Sequence, residues 1–295
     1  NMRRSLVEFG SIDMVWRGLP YADFVELKNQ DSNGDGLPDF KPWNGPADFK
    51  SYLMFNHDAA PWDREAVRRA AALALDRSAL ASETFVDRRT PLFSPVPDAV
   101  PGHVPSLPQR DLTLARTLLQ TAGYNEAVPL EIELWYVSDG RYSNIEEAYA
   151  TAIKTQLEET GIFKVNLASA PFEQFRTQIN ECNYPAYLLG WPSPGRPVDY
   201  LDVLPWTQFF IASNSFCTNY ESEIMDDLMK QIREETDLTA RLALYDQLQQ
   251  KWAADLPTLD ILQEQTRAIS LPNINNLRID ALGMLHYEVL TKGGG

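Results

Sequence analysis

An α/β fold is the prediction of three observations. Strand-like and helix-like patterns alternate along the chain, several of the helical patterns close on glycine or proline, and 44% hydrophobic content over 295 residues is ample for a core. A length of this kind fits one large domain or two ordinary ones. Formal net charge is -15 with a pI near 4.6, so the electrostatic attraction that dominates nucleic-acid binding would become repulsion. Nucleic acid and anionic membrane surfaces are therefore not expected partners. No apolar run approaches the roughly 18 to 20 residues of a membrane helix, and the opening Asn1-Met2-Arg3-Arg4 leads into no apolar signal region. Leu6, Val7 and Phe9 before Gly10 read as the tail of an amphipathic helix, so the chain is expected to begin inside a larger protein.

Ile12 to Trp16 reads as a short buried strand after a glycine break, and Tyr21 to Lys28 as a helix begun near Pro20. Arg17 sits just beyond that strand's end, where open α/β sheets bind ligands, although an exposed, salt-bridged arginine is the reading the position favours. Asp31 to Asp39 is a sharper motif. Asp31, Asn33 and Asp35 match positions 1, 3 and 5 of a calcium loop, Gly36 supplies the turn, Leu37 a carbonyl, and Asp39 falls at position 9. Pro42 stands where the bidentate glutamate belongs, so the reading is a structural calcium site or an ion-free Asp/Asn/Gly turn.

Tyr52 to Phe55 is an apolar strand that meets the polar corner Asn56-His57-Asp58 before a long alanine-rich helix. Asp63 is the expected N-cap, Glu65 complements the helix dipole, and Val67, Ala70, Ala71 and Ala74 fall at helical spacing. Thr90 to Pro108 carries too many prolines for a helix or central strand and reads as an ordered extended loop or a linker. Asp111 caps the next helix, which Gly123 ends. Leu130, Ile132, Leu134 and Tyr136 alternate as a half-buried strand, and Ile145, Ala148, Tyr149, Ala152, Ile153 and Leu157 mark a helix closed by Gly161. Phe163 to Leu167 is a strand, Phe172 to Ile179 a helix and Tyr184 to Trp191 a strand. Two long helices follow. Ile224, Leu228 and Ile232 mark the first; Leu242, Tyr245, Leu248, Trp252 and Leu256 mark the second, stopped by Pro257.

Several of these stretches resemble one family: the solute-binding proteins of oligopeptide, dipeptide and nickel ABC importers, extracellular solute-binding family 5. Its entry pattern stands here as Phe55-Asn56, Pro61-Trp62, Val67-Arg68-Arg69-Ala70 and Ala74-Leu75-Asp76-Arg77. Leu114 to Tyr124 resembles the family's A..LL..AGY helix end, Ala186 to Trp191 its strand ending in Gly-Trp, and Ala243 to Ile261 its closing helix and proline-led strand. The resemblance covers nearly the whole chain but only about the second half of the family.

That resemblance implies a type II-like periplasmic binding protein: two lobes joined by a hinge, one nearly complete and the other represented by terminal segments. Residues 1–55 would belong to the first lobe, 56–266 to the C-terminal ligand-binding lobe, and 267–295 would return to the first. It implies capture of a small solute, a peptide first of all, without catalysis, followed by docking on ABC permease subunits. The missing N-terminal portion of the same protein would be a partner. The place implied is the periplasm or cell exterior, with a lipid anchor on the absent N-terminus as one form of attachment. No cofactor is required, apart from the structural calcium the Asp31 loop allows.

The stretch from Trp191 to Tyr220 is the expected ligand contact, because aromatic walls with a few polar anchors suit a small-molecule cleft. Trp191, Tyr200 and Trp206 are the aromatic candidates, and the same rings could instead fill a core. Peptide-binding members place an Asp three residues beyond the Gly-Trp tryptophan to hold the ligand ammonium, whereas Pro194 stands there in this chain. Asp199 is a replacement through a longer loop, and Arg196 could recognise a carboxylate. A sugar or other non-peptide solute fits that departure too, and the rival from another class is an extracellular hydrolase or calcium-dependent adhesion module. Cys182 and Cys217, the two cysteines, could bridge in an exported protein, closing a loop worth roughly 4 kcal/mol in the chain-entropy model.

Overall fold

The computed structural model describes residues 2–16, 18–192, 202–213, 218–280 and 284–293. Helix α1 (Met2–Glu8), strand β1 (Met14–Trp16) and helix α2 (Tyr21–Asn29) precede the long strand β2 (Lys41–Phe55). Helix α3 (Glu65–Ala74) gives way to the short α4 (Arg77–Ala79), which Asp76 caps by accepting the Ala79 amide at 2.9 Å. Strand β3 (Arg89–Pro91) opens the proline-rich stretch. Helix α5 (Leu112–Thr121) starts on the expected cap, Asp111 accepting the Leu114 amide at 2.9 Å.

The next stretch alternates regularly: β4 (Leu130–Val137), α6 (Glu146–Glu158), β5 (Phe163–Ala170), α7 (Phe172–Asn180) and β6 (Ala186–Pro192). Helix α8 (Leu204–Ile211) lies inside the Trp191–Tyr220 stretch expected to contact ligand. Helices α9 (Glu223–Glu234) and α10 (Leu238–Asp255) follow, capped by Ser222 and Asp237. Strand β7 (Thr258–Ser270) and the short pair β8 (Ile274–Asn275) and β9 (Thr291–Lys292) complete the described order. None of the helices among the described residues is long and apolar enough to cross a membrane.

The chain divides into two compact units. Among the described residues, one comprises 49–192, 202–213 and 218–263; the other comprises the terminal segments 2–16, 18–48, 264–280 and 284–293. The sequence reading set its boundaries at 55 and 266; the compact units change at 48 and 263, inside β2 and β7. A strand that continues unbroken offers no turn residue to mark such a division.

In the larger unit the sheet order is β7-β2-β6-β4-β5, with β3 beside β7. Strands β4, β5 and β6 are mutually parallel, and β2 runs antiparallel to β6. The β4–α6–β5 crossover is what makes that parallel pairing possible. Its core is one continuous cluster holding the apolar faces of α3, α5, α6, α9 and α10 against the strands. In the terminal unit β1 pairs antiparallel with β7, Val15 opposite Ile269, and α1 and α2 cover Val7, Val15, Phe24 and Leu27.

The motif residues prove to be scaffold. Asn56 accepts the Asp58 amide and donates to the Cys182 carbonyl at 3.2 Å. Arg68 reaches three carbonyls, those of Trp62, Asp255 and Leu256, at 2.7 to 3.0 Å. Arg77 stacks on Phe93 and donates to the Asp260 carbonyl. Asp63 is not the cap expected of it: α3 begins at Glu65 behind Arg64, without a side-chain cap.

Candidate functional site

Parallel strands direct ligands to their C-terminal ends, and here β4, β5 and β6 end at one edge of the larger unit. That edge carries a small cavity. Antiparallel pairing sets Ser51 of β2 opposite Gly190 of β6, and the space between them is lined by Phe49, Ser51, Arg89, Tyr142, Glu146, Tyr149 and Leu188 to Gly190. It is narrower than a water molecule. Gly190 is required there by close approach: a Cβ would fall 2.4 Å from Phe49 Cζ and 2.7 Å from Tyr142 Cδ1. Gly190→Ala is expected to cost about 1–3 kcal/mol through overpacking, read as a lower urea midpoint at unchanged slope; an unchanged midpoint would show that both rings yield freely.

Charge in the cavity comes from two side chains. Arg89, on the short β3, is buried with its guanidinium carbon 4.1 Å from the Phe85 ring centre and 4.6 Å from that of Phe49. It also donates to the Tyr142 carbonyl at 3.3 Å. Glu146 sits in the first turn of α6, only 6% exposed, and accepts no hydrogen bond among the described residues. Burial pushes its carboxyl up to about 7, with the Arg89 charge pulling the other way. Tyr149 pairs its hydroxyl with Ser51 Oγ at 3.3 Å, and burial raises that phenol well above its usual range.

Of the residues named from sequence, Trp191 lies at this edge. Its half-buried ring meets Phe210 edge-on with centres 4.9 Å apart, and its buried indole N–H has no acceptor among the described residues. Trp206 is fully buried in the core, where its carbonyl accepts from Lys50. Arg17, Arg196, Asp199 and Tyr200 lie outside the described residues. Cys182 is disulfide-bonded; Cys217, the other cysteine of the sequence, also lies outside them.

The Asp31 loop folds on its own side chains. Asp31 accepts the amides of Gly34 and Gly36 at 2.8 and 2.9 Å, Asp35 accepts that of Leu37, Asn33 that of Asp35, and Asp39 that of Ser32. Among the described residues no three His, Cys, Asp or Glu side chains gather closely enough to hold a metal ion.

Sequence reasoning passed over Arg89, Tyr142 and Glu146. A signal existed for the last: Glu146 precedes the buried Tyr149, Ala150, Ile153 and Leu157 by three, four, seven and eleven residues, which puts a carboxylate on the apolar stripe of α6. Arg89 stands at the head of a proline-rich stretch and carried no such pattern.

Comparison with known proteins supplies the relationship. The periplasmic oligopeptide-binding protein OppA of Haemophilus influenzae is 24% identical over 246 residues, 80% of this chain and 43% of that protein. OppA of Salmonella typhimurium is 25% identical over 254 residues, 83% of this chain and 44% of that protein. The chain thus spans less than half the length of these curated relatives. Among solved structures, HbpA2 from Haemophilus parasuis superposes with a TM-score of 0.86 at 19% identity, covering 99% of this chain and 56% of that one. The unliganded open form of the murein tripeptide binding protein MppA gives 0.83 at 18% identity, covering 99% and 55%. The family model of the bacterial extracellular solute-binding proteins, family 5 (middle) matches residues 1–205, and the chain belongs to that family.

Proposed function

We propose that this chain is the C-terminal part of an exported ABC-importer receptor that takes a peptide into a cleft and hands it to membrane permease subunits. Family membership is the observation that carries the reading, and the relatives named above as oligopeptide-binding proteins favour a peptide over other solutes. The edge that bears Trp191 and the Gly190 cavity is where ligand contact would fall, with Arg196, Asp199, Tyr200 and Arg17 as further candidates. Pro194, in place of the family's ammonium-binding Asp, calls for another anchor, and Asp199 is the candidate. A non-peptide solute is the second reading: the heme-binding protein A of Haemophilus influenzae is 25% identical over 203 residues.

Ligand-induced stabilisation of the full-length protein tests the proposal. A bound peptide at 100 times its Kd adds about 2.7 kcal/mol, seen as a clear rise in melting temperature without turnover of the peptide. Stabilisation by a non-peptide solute alone would retain the receptor and remove the peptide; hydrolysis of the added peptide would favour the enzyme class.

A further inference from the structure

Glu146 is the carboxylate among the residues that line the cavity beside Gly190. The residue is more than nine-tenths buried, yet both of its carboxylate oxygens keep contact with water, and neither takes a hydrogen bond or an ion pair among the described residues. Two other carboxylates on segments that leave this edge are already engaged. Asp139, between β4 and α6, accepts the amides of Phe172 at 2.8 Å and Arg141 at 3.3 Å. Asp202, ahead of α8, accepts the Leu204 amide at 2.9 Å and pairs with Arg241. Arg89 acts on Glu146 through space, with its guanidinium over the Phe49 and Phe85 rings and a hydrogen bond to the Tyr142 carbonyl.

Connectivity explains where this carboxylate stands. Strand β4 ends at Val137, at the C-terminal edge of the parallel strands, and the segment 138–145 delivers the chain to α6, whose first residue is Glu146. Strand β6 brings Gly190 and Trp191 to the same edge, which is where sheets of this kind take ligands. The rings of Phe49 and Tyr142 close on Gly190 and line the cavity with Glu146. A carboxylate set among aromatic rings suits a cation, because both attract positive charge. Being poorly hydrated, it also gains more from that cation than an exposed carboxylate would.

The geometry points to Glu146 as the group that receives the α-ammonium of a bound peptide, an anchor that the sequence left to Asp199. The assignment rests on the peptide reading of this site. The ammonium meets the carboxylate from the solvent side, where the oxygens are open, and stays out of the cavity behind it, which is too narrow for water. The ligand class that follows is a peptide with a free amino terminus. Blocking that terminus removes both the charge and the donors that Glu146 answers.

The test offers the full-length protein a library of short peptides with free amino termini and the same library N-acetylated, each affinity read from melting temperature against ligand concentration. Wild type should prefer the free termini by about 10- to 100-fold, the range of a hydrogen bond to a charged group. Glu146→Gln, close in shape but uncharged, should remove most of that preference by weakening the free peptides alone, whereas a merely structural role would weaken both libraries alike. Glu147→Gln, at the exposed neighbouring position, should keep the preference. Should Glu146→Gln fail to fold, Glu146→Ala serves the same comparison. Equal affinity of wild type for the two libraries overturns the anchor and leaves the peptide reading standing. A preference that survives Glu146→Gln overturns it too, and Asp199→Asn then shows whether the sequence candidate carries it. Binding of neither library removes the peptide reading and the anchor with it.

Discussion

Replacing Lys50 by methionine in the full-length protein should cost about 3–5 kcal/mol of unfolding free energy, because it strands a buried carboxylate. Lys50 Nζ lies 2.8 Å from Asp260 Oδ1, with the two side chains 2% and 0% exposed. The ammonium also donates to the carbonyls of Pro95 and Trp206 at 2.8 and 3.1 Å. Burial disfavours both charges, lowering the lysine pKa and raising that of the aspartate, and their mutual attraction opposes it. Removing Lys50 leaves the aspartate with its burial cost, offset only by a Thr258 hydroxyl and the more distant Arg77 charge. The double replacement Lys50→Met with Asp260→Asn should recover much of the loss, since an uncharged pair carries no such cost. Urea unfolding of the three variants gives the coupling; a single variant no worse than the double would show that the pair is not linked in this way.

Arg68→Lys should lose about 2–4 kcal/mol although charge is preserved. The guanidinium fork of Arg68 serves three carbonyls at once: Trp62 ahead of α3, and Asp255 and Leu256 at the end of α10. Leu256 stands at a left-handed φ of +48°, a C-cap without the usual glycine, and Arg68 helps hold it. A lysine presents one compact ammonium and cannot span that set. Arg69→Lys is the control. Its partner Glu65 and Arg69 itself are both more than half exposed or close to it, and such surface pairs are worth under about 1 kcal/mol. Equal losses at positions 68 and 69 would refute the assignment.

The α/β alternation was legible because β4, α5 and α6 carry apolar residues at their own periods and α5 carries a true cap in Asp111. Helix α8 was not, because Leu204 to Ile211 is buried almost all round and so shows no polar face to set a period. Its start signal was Pro205 in the first turn. Asp63 misled for a different reason: a carboxylate two residues before a helix resembles a cap whether or not the backbone brings the first-turn amides to it. At the candidate edge, Trp191 was named from sequence by its place after Gly190. Trp206 shows the limit of that reasoning, since aromatic content alone does not separate a ligand wall from a core. Glu146 and Arg89 come together from segments far apart in the chain, and only the packing of β3 against the sheet makes them neighbours.

The contacts of Arg68 and Arg77 end on main-chain oxygens, and Asp76 receives a main-chain amide. Such a contact is indifferent to which side chain grows from the atom it grips. Lobes of this architecture can therefore exchange the lining of their clefts while leaving these three positions unaltered. A search keyed to them would retrieve the architecture and stay blind to the lining of the cleft.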